Sequence, residues 1–278
     1  METREQVIAR VEIMARRMRK RALGMALSAG SNGAHVGPGL SIIEITATLY
    51  GAIMKINPQN PQWEDRDRFI LSKGHGTLGY YTALAEAGLF DADELSTFEV
   101  NEGSLPGQPT LNMAKGIEFS SGSLGLGLSL GIGVAMTAKR MSKGHKTFVL
   151  MGDGECNEGT VWEAAMAASH YGLNNLIAII DRNCIQSDGG CSTVMCMGDM
   201  AGKWRSFGWD VAEVDGHNIC DIYDAFINTR CDETKPYVVI ASTIKGKGVS
   251  FMENNNAWHH ARLSQEQYDA AMLELTAQ

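Results

Sequence analysis

The stretch from Thr147 to Asn183 reads TFVLMGDGECNEGTVWEAAMAASHYGLNNLIAIIDRN. It holds two short apolar runs, Thr147–Met151 and Leu176–Asp181, with a helix-like segment near Trp162–His170 between them. The first run leads into Gly152, Asp153 and Gly154; the second leads into Asn183, thirty positions past Asp153. A strand–helix–strand unit of this length joins parallel strands, and its right-handed crossover brings both strand exits to one edge of the sheet. A carboxylate and an amide oxygen meeting there are two hard ligands, able to hold Mg²⁺ against a diphosphate. Gly152 and Gly154 permit a tight turn. Backbone N–H groups at a helix starting near Glu155 or Asn157 favour an anion. Taken singly, Gly-Asp-Gly is an ordinary turn and Asn183 an ordinary strand-end cap; both after apolar runs at one spacing point to a site.

The alternation continues outward. Arg68–Leu71 reads as a short buried strand with Ser72 to Gly76 leaving it, and Trp209–Val214 and Tyr237–Thr243 read as two more strands. Helices are expected over residues 3–29, from an N-cap at Ser41 through Met54, over Gly79–Ala87, Met200–Phe207 and Ile219–Asn228. Apolar strands separated by helices are the pattern of a parallel sheet covered on both faces. The expected fold is therefore α/β, a doubly wound, mostly parallel sheet in a single domain over 1–278. Residues 99–123 look irregular. From Ser123 to Lys139 glycine recurs at Gly125, Gly127, Gly131 and Gly133. No strand precedes these glycines at the spacing of a dinucleotide fingerprint, so close helix packing explains them, with a cofactor contact at the N-terminal end.

At 278 residues, 44% hydrophobic and 20% charged, the chain has ample material for one large core. A net charge of −8 argues against a broad nucleic-acid surface, though not against a small anion held through a metal ion. Cys156, Cys184, Cys191, Cys196, Cys220 and Cys231 form no CxxC pair and no zinc spacing, and no secretory signal is present. They read as free thiols in a reducing cytoplasm, with redox sensing by the 184–196 group as the lesser reading. Arg10, Arg16, Arg17, Arg19, Lys20 and Arg21 form a solvated basic helix face; Glu2, Glu5 and Glu12 interrupt it as no transit peptide would. No uncharged run approaches the ~20 residues of a membrane span, and no membrane contact is expected.

Residues 152–183, GDGECNEGTVWEAAMAASHYGLNNLIAIIDRN, resemble the thiamine diphosphate motif of the transketolase family. Residues 57–75, NPQNPQWEDRDRFILSKGH, resemble a second transketolase signature. Ala34 to Gly37 resembles the family's Gly-His-Pro-Gly turn, and Gly122 to Gly125 its Gly-Ser-Leu-Gly. Ile244 to Val249 with Trp258 and His259 resembles its closing segment, so the match runs in order from near residue 30 to about 260.

The resemblance implies thiamine diphosphate as cofactor, with Mg²⁺ or Ca²⁺. It implies Asp153, the Asn183 side chain and the Ile185 carbonyl as metal ligands, with Gly152, Gly154 and Glu155 in the same cofactor loop. His75, Lys245 and His259 are implied at the diphosphate or the reacting centre, and Gly122, Ser123 and Leu124 beside the aminopyrimidine. His35 is implied to handle the proton of the acceptor's carbonyl oxygen, and Glu158 to lie near a subunit interface. The catalytic histidines His35, His75 and His259 are expected to move protons near their ordinary pKa of ~6.5. Gln108 stands where the family has a histidine that grips a donor hydroxyl; it can donate and accept but not titrate. Leu126 stands where the family commonly has glutamine, which suggests a more apolar wall. His145, His170, His217 and His260 receive no role, and Lys247 reads as a surface charge.

Full-length family members run to more than twice this length. Their second half supplies the glutamate that activates the cofactor and most groups that bind substrate phosphate. The resemblance therefore implies the N-terminal subunit of a split transketolase, inert without a C-terminal companion chain and assembling as a heterotetramer. The implied reaction moves a two-carbon ketol unit from a ketose phosphate to an aldose phosphate. Ketol transfer on a sulfo-sugar or branched sugar, 1-deoxy-sugar synthesis, and a non-catalytic regulatory role for a retained cofactor fold stay open.

Overall fold

A computed structural model describes residues 2–228 and 234–277. Cys231 lies outside the described residues. Five parallel strands form one sheet in the order β1-β2-β3-β5-β4. They are β1 (Arg68–Leu71), β2 (Thr147–Gly152), β3 (Leu176–Arg182), β4 (Asp210–Asp215) and β5 (Tyr237–Ser242), each within one residue of the bounds read from the apolar runs. Leu71 lies opposite Leu150, Gly152 opposite Asp181, and Asp181 opposite Ala241. This register brings the exits of β2, β3 and β5 to nearly one level, with β1 leaving beside them.

Alternate strand residues bury in opposite directions, as the pleat requires. Phe69, Leu71, Phe148, Leu150, Ile177, Ile179 and Val239 join one apolar layer, all at most 3% exposed. Ile70, Val149, Met151, Ala178, Ile180, Val238 and Ile240 join the other. The first layer is covered by α1 (Arg4–Ser28), α2 (Val36–Leu40), α3 (Ile43–Thr48) and α4 (Thr77–Glu86). The second is covered by α5 (Gly127–Arg140) and α6 (Gly159–His170); after the single turn α7 (Cys191–Val194), α8 (Met200–Ser206) completes that layer. Two later helices, α9 (Ile219–Ile227) and α10 (Gln265–Ala277), return to the first. The helix α1 starts with a reciprocal cap between Thr3 and Gln6. It buries Ile8, Val11, Met14, Met18, Ala22 and Met25 at helical spacing.

Two expectations need correction. Ser41 does not cap a helix running to Met54: α2 ends there, α3 begins at Ile43, and a wide π turn over Leu49–Ile53 follows. Ser41 is fully buried, and its Oγ donates to Pro38 O at 3.1 Å and Asp181 Oδ2 at 2.7 Å. A hydroxyl in that position needs a buried acceptor more than a helix start needs a cap. The segment Val36–Ile53 is long and apolar enough to cross a membrane, yet 83% of it is buried inside the fold, the setting of a core helix. The second correction is Arg19, which is not on a solvated face. It is 7% exposed and turned inward to Glu44 at 2.5 Å.

The glycines of α5 separate by position. A Cβ on Gly131 would stand 2.6 Å from Val149 Cγ2, so this glycine lets the helix sit tight on β2, whereas a Cβ on Gly133 would meet nothing within 4 Å. Gly131→Ala is expected to lose about 1–2 kcal/mol by overpacking, and Gly133→Ala to gain up to about 1 kcal/mol from helix propensity. Denaturant titration of the two variants beside the parent checks both signs.

Candidate active site

The exits of β1, β2, β3 and β5 converge with the turn before α2 on a cavity of about 330 Å³. Its floor is organised by Asp181, which has no solvent exposure. Asp181 pairs with Lys73 Nζ and accepts from Ser41 Oγ (2.7 Å), Asn183 Nδ2 (2.9 Å) and Thr243 Oγ1. Burial alone would raise this carboxyl; the Lys73 ammonium and the hydroxyl donors outweigh it and hold the group below its ordinary value. Lys73 Nζ also donates to Pro38 O at 3.0 Å.

Asp153 is different. Its Oδ1 accepts from Gly154 N at 2.8 Å, and its Oδ2 from Cys184 N at 2.7 Å and Cys191 Sγ at 3.6 Å. Cys184 adopts a left-handed backbone, φ 61°, that presents its N–H to this carboxylate. Asp153 is 5% exposed, and no ion pair among the described residues includes it. Burial, then the Asp181 charge, push its carboxyl above the ordinary value. The bond from Asn183 Nδ2 to Asp181 fixes that amide, so Oδ1 accepts from Ile185 N at 3.1 Å and keeps a second lone pair. Ile185 O and Gln186 O accept from Lys245 Nζ at 3.0 and 3.3 Å.

A buried carboxylate without a counter-charge, an amide oxygen and a peptide carbonyl on one cavity wall fit a hard divalent cation. No group of three or more His, Cys, Asp or Glu among the described residues is arranged to hold a metal, so any such ion would rely on this mixed oxygen set. The first amide of the turn after Asp153 is not open to an anion. A short 3₁₀ turn, Gly154–Asn157, precedes α6, and Asp153 itself takes the Gly154 N–H. Glu155 is spent on the loop, accepting from Ser72 Oγ, Gly125 N (2.8 Å) and Gly152 N (3.0 Å). Gly125, at φ 86°, lies so close to Thr160 and Glu158 that a Cβ would come within 2.6 Å of Thr160 Oγ1.

Three imidazoles close the cavity. The rings of His35, His75 and His259 stand 5.4–5.5 Å apart, centre to centre. His259 Nδ1 accepts from Lys245 Nζ at 2.7 Å, which leaves its hydrogen on Nε2. Burial first, then charged neighbours including Lys73 and Lys245, push His35 down to about 4 and His259 down to about 3, and hold His75 well below the ordinary range. All three imidazoles thus lie below their ordinary ~6.5 in this chain. Lys245, buried beside Lys73, falls to about 8.

Residues 14–276 match the family model described as transketolase, thiamine diphosphate binding domain. The chain belongs to the transketolase family. This transketolase-family chain is 41% identical over 266 residues to an apulose-4-phosphate transketolase subunit from Phocaeicola vulgatus, covering 96% of this chain and 94% of that one. It is 41% identical over 241 residues to a 6-deoxy-6-sulfo-D-fructose transketolase subunit from a Clostridium species, covering 87% and 88%. Among solved structures it superposes on transketolase from Leishmania mexicana with a TM-score of 0.88 at 28% identity, covering 96% of this chain and 41% of that one. It thus spans about two fifths of that solved transketolase's length.

Gln108, Gly122, Leu124 and Glu158 line the same cavity as Asp153, Asn183, Lys245 and the three histidines. Ser123 is exposed and is not part of the wall; nor is Leu126, which is 47% exposed, so the apolar wall expected from it is absent. Gln108 Oε1 is buried with no partner. Sequence reasoning missed Ser41, Lys73, Asp181 and Thr243, although Lys73 and Asp181 lie inside the quoted motifs; their only sequence signal was a polar residue at a strand end. It also missed His260, whose ring stands 4.5 Å from that of His35.

The depressed imidazoles imply a pH-dependent fold. The unfolded chain takes up protons below ~6.5, the folded chain only at lower pH, so stability is full above ~6.5 and falls as pH drops towards about 4. Each imidazole contributes a slope of up to about 1.4 kcal/mol per pH unit. Urea unfolding between pH 7 and 5 should show the decline, and the triple variant His35→Asn, His75→Asn, His259→Asn should flatten it.

Proposed function

We propose that this chain is the diphosphate- and metal-binding subunit of a two-chain transketolase, moving a two-carbon ketol unit from a ketose to an aldose together with a C-terminal companion. The observation that carries this reading is the buried Asp153 carboxylate, in no ion pair among the described residues, beside Asn183 and Ile185 in the cavity that Lys73, Lys245 and the three histidines also line. Asp153, Asn183 and Ile185 would hold Mg²⁺ or Ca²⁺. Lys245, His75 and His259 would face the diphosphate, and Gly122 and Leu124 the aminopyrimidine. When bound, thiamine diphosphate supplies the electron sink for carbon–carbon bond cleavage. The chain's own residues do the rest: neutral His35 and His259 accept or donate protons at substrate oxygens, and the buried walls exclude water.

Coverage of 94% of a relative named as a subunit supports a separate companion chain. Glu158, exposed beside the cavity, is the residue we assign to that contact or to a second copy, in a heterotetramer.

A modified sugar is favoured over the common donor by one feature. Gln108 presents a buried, unpaired oxygen where the family's histidine was expected. The names of the two relatives, one for apulose-4-phosphate and one for 6-deoxy-6-sulfo-D-fructose, support the same direction.

The test is reconstitution with the companion chain, followed by transfer assays with xylulose 5-phosphate, a branched ketose phosphate and a sulfo-ketose as donors. Turnover should require both chains; full activity from this chain alone would end the two-chain reading. Asp153→Asn should weaken Mg²⁺-dependent thiamine diphosphate binding at least about 100-fold by calorimetry in the assembled complex. Unchanged affinity would remove Asp153 from the ligand set.

A further inference from the structure

Behind the cavity, two buried charged side chains, Arg19 and Glu44, and a half-buried one, His217, are joined to one backbone segment. Arg19 on α1 pairs with Glu44 Oε1 on α3 at 2.5 Å, and Glu44 Oε2 meets His217 Nδ1 at 2.9 Å. His217, just past β4, accepts at Nε2 from Ile244 N at 2.7 Å, so its hydrogen is on Nδ1 and points to Glu44. Arg19 Nε donates to Lys247 O at 3.0 Å. The two ends of the triad thus grip residues 244 and 247, on either side of Lys245. Gly248, at φ 95°, lies so close to Arg19 that a Cβ there would come within 2.6 Å of its Cδ. From the cavity side the segment is held by Gly246 N on Gly37 O at 3.1 Å and by Asn254 N on Lys245 O at 2.9 Å.

We propose that the Arg19–Glu44–His217 triad is a positioning device that sets the backbone of Lys245, and so the place of its ammonium between Ile185 O, Gln186 O and His259 Nδ1. None of the three lines the 330 Å³ cavity. A buried ion pair adds little to stability compared with apolar packing of the same volume, because desolvation cancels most of the attraction. What it provides here is direction: both outward hydrogen bonds go to backbone atoms of one four-residue segment. His217 holds Ile244 in its neutral tautomer, and Glu44 is what selects that tautomer. Burial would raise the Glu44 carboxyl, but Arg19 and His217 bring it below its ordinary value, so it stays charged. The catalytic consequence rests on the function proposed above; the positioning itself does not.

The experiment labels the full-length chain with acetic anhydride and reads each lysine by mass spectrometry. Lys245 and Lys73 are each 1% exposed, and only Lys245 is tied to the triad, which makes Lys73 the internal control. His217→Phe should raise Lys245 acylation about tenfold or more through local opening and leave Lys73 protected. His217→Gln, whose oxygen reaches the Nε2 position, should restore protection, whereas His217→Asn, which mimics Nδ1, should not. This pair also serves if the phenylalanine variant does not fold. Unchanged Lys245 labelling in His217→Phe, or a parallel rise at Lys73, would overturn the proposal. Calorimetry with Mg²⁺ and thiamine diphosphate on the complex with its companion should show about tenfold weaker binding for His217→Phe. Absence of cofactor uptake by the parent complex would count against the proposed function, and the labelling would still decide the positioning.

Discussion

Asp181 stands at the exit of the central strand with no contact with water, and a charge in that place is costly unless it is fully answered. It is answered four times: by Lys73 after β1, Thr243 after β5, Asn183 after its own strand, and Ser41 at the end of α2. These donors come from four separate stretches of chain, so satisfying one carboxylate draws together the loops that build the cavity. The same contacts fix the Asn183 amide, and with it the oxygen available to a cation. Groups arranged this way support one another, and loss of any single donor leaves a buried charge short of a partner.

Against that fully answered acid stands Asp153, at the exit of the neighbouring strand and lacking a counter-charge. The cavity is electrically uneven. The Asp153 carboxylate lies at its foot in no ion pair among the described residues, two buried ammonium groups at its side and three imidazoles at its mouth, while Glu155, which also lines it, is held by loop hydrogen bonds. A cation at the foot and an anion above it would neutralise both excesses. An anion there would also raise the imidazoles back towards the range where they exchange protons.

The apolar runs foretell every strand within a residue; β2, β3 and β5, buried on both faces, have no polar alternation to blur their ends, and β4 at the sheet edge is marked by its apolar alternation alone. Helix starts are less legible. Ser41 has the chemistry of a cap, but a hydroxyl answers whichever unsatisfied group the fold brings near, and here that group is Asp181. Arg19 sits among basic residues that face water, and only the packing of α1 on α3 turns it inward to Glu44. Leu126 has the place of a wall residue in its motif, yet the helix that begins beside it carries it to the surface. Glu155, in the middle of the cofactor loop, instead holds the turn at Gly125 in place.

By itself the sequence determined the sheet, the family and which oxygen-bearing and imidazole-bearing residues gather at one edge. Those follow from local patterns: apolar runs, turn glycines and the spacing between two strand exits. The tertiary structure alone decided the charge states and the partners. Whether a histidine is neutral, which acid is compensated, and how Lys245 is held from behind by His217 depend on burial and on contacts between residues up to 228 positions apart. Those contacts leave no trace in any short stretch of chain.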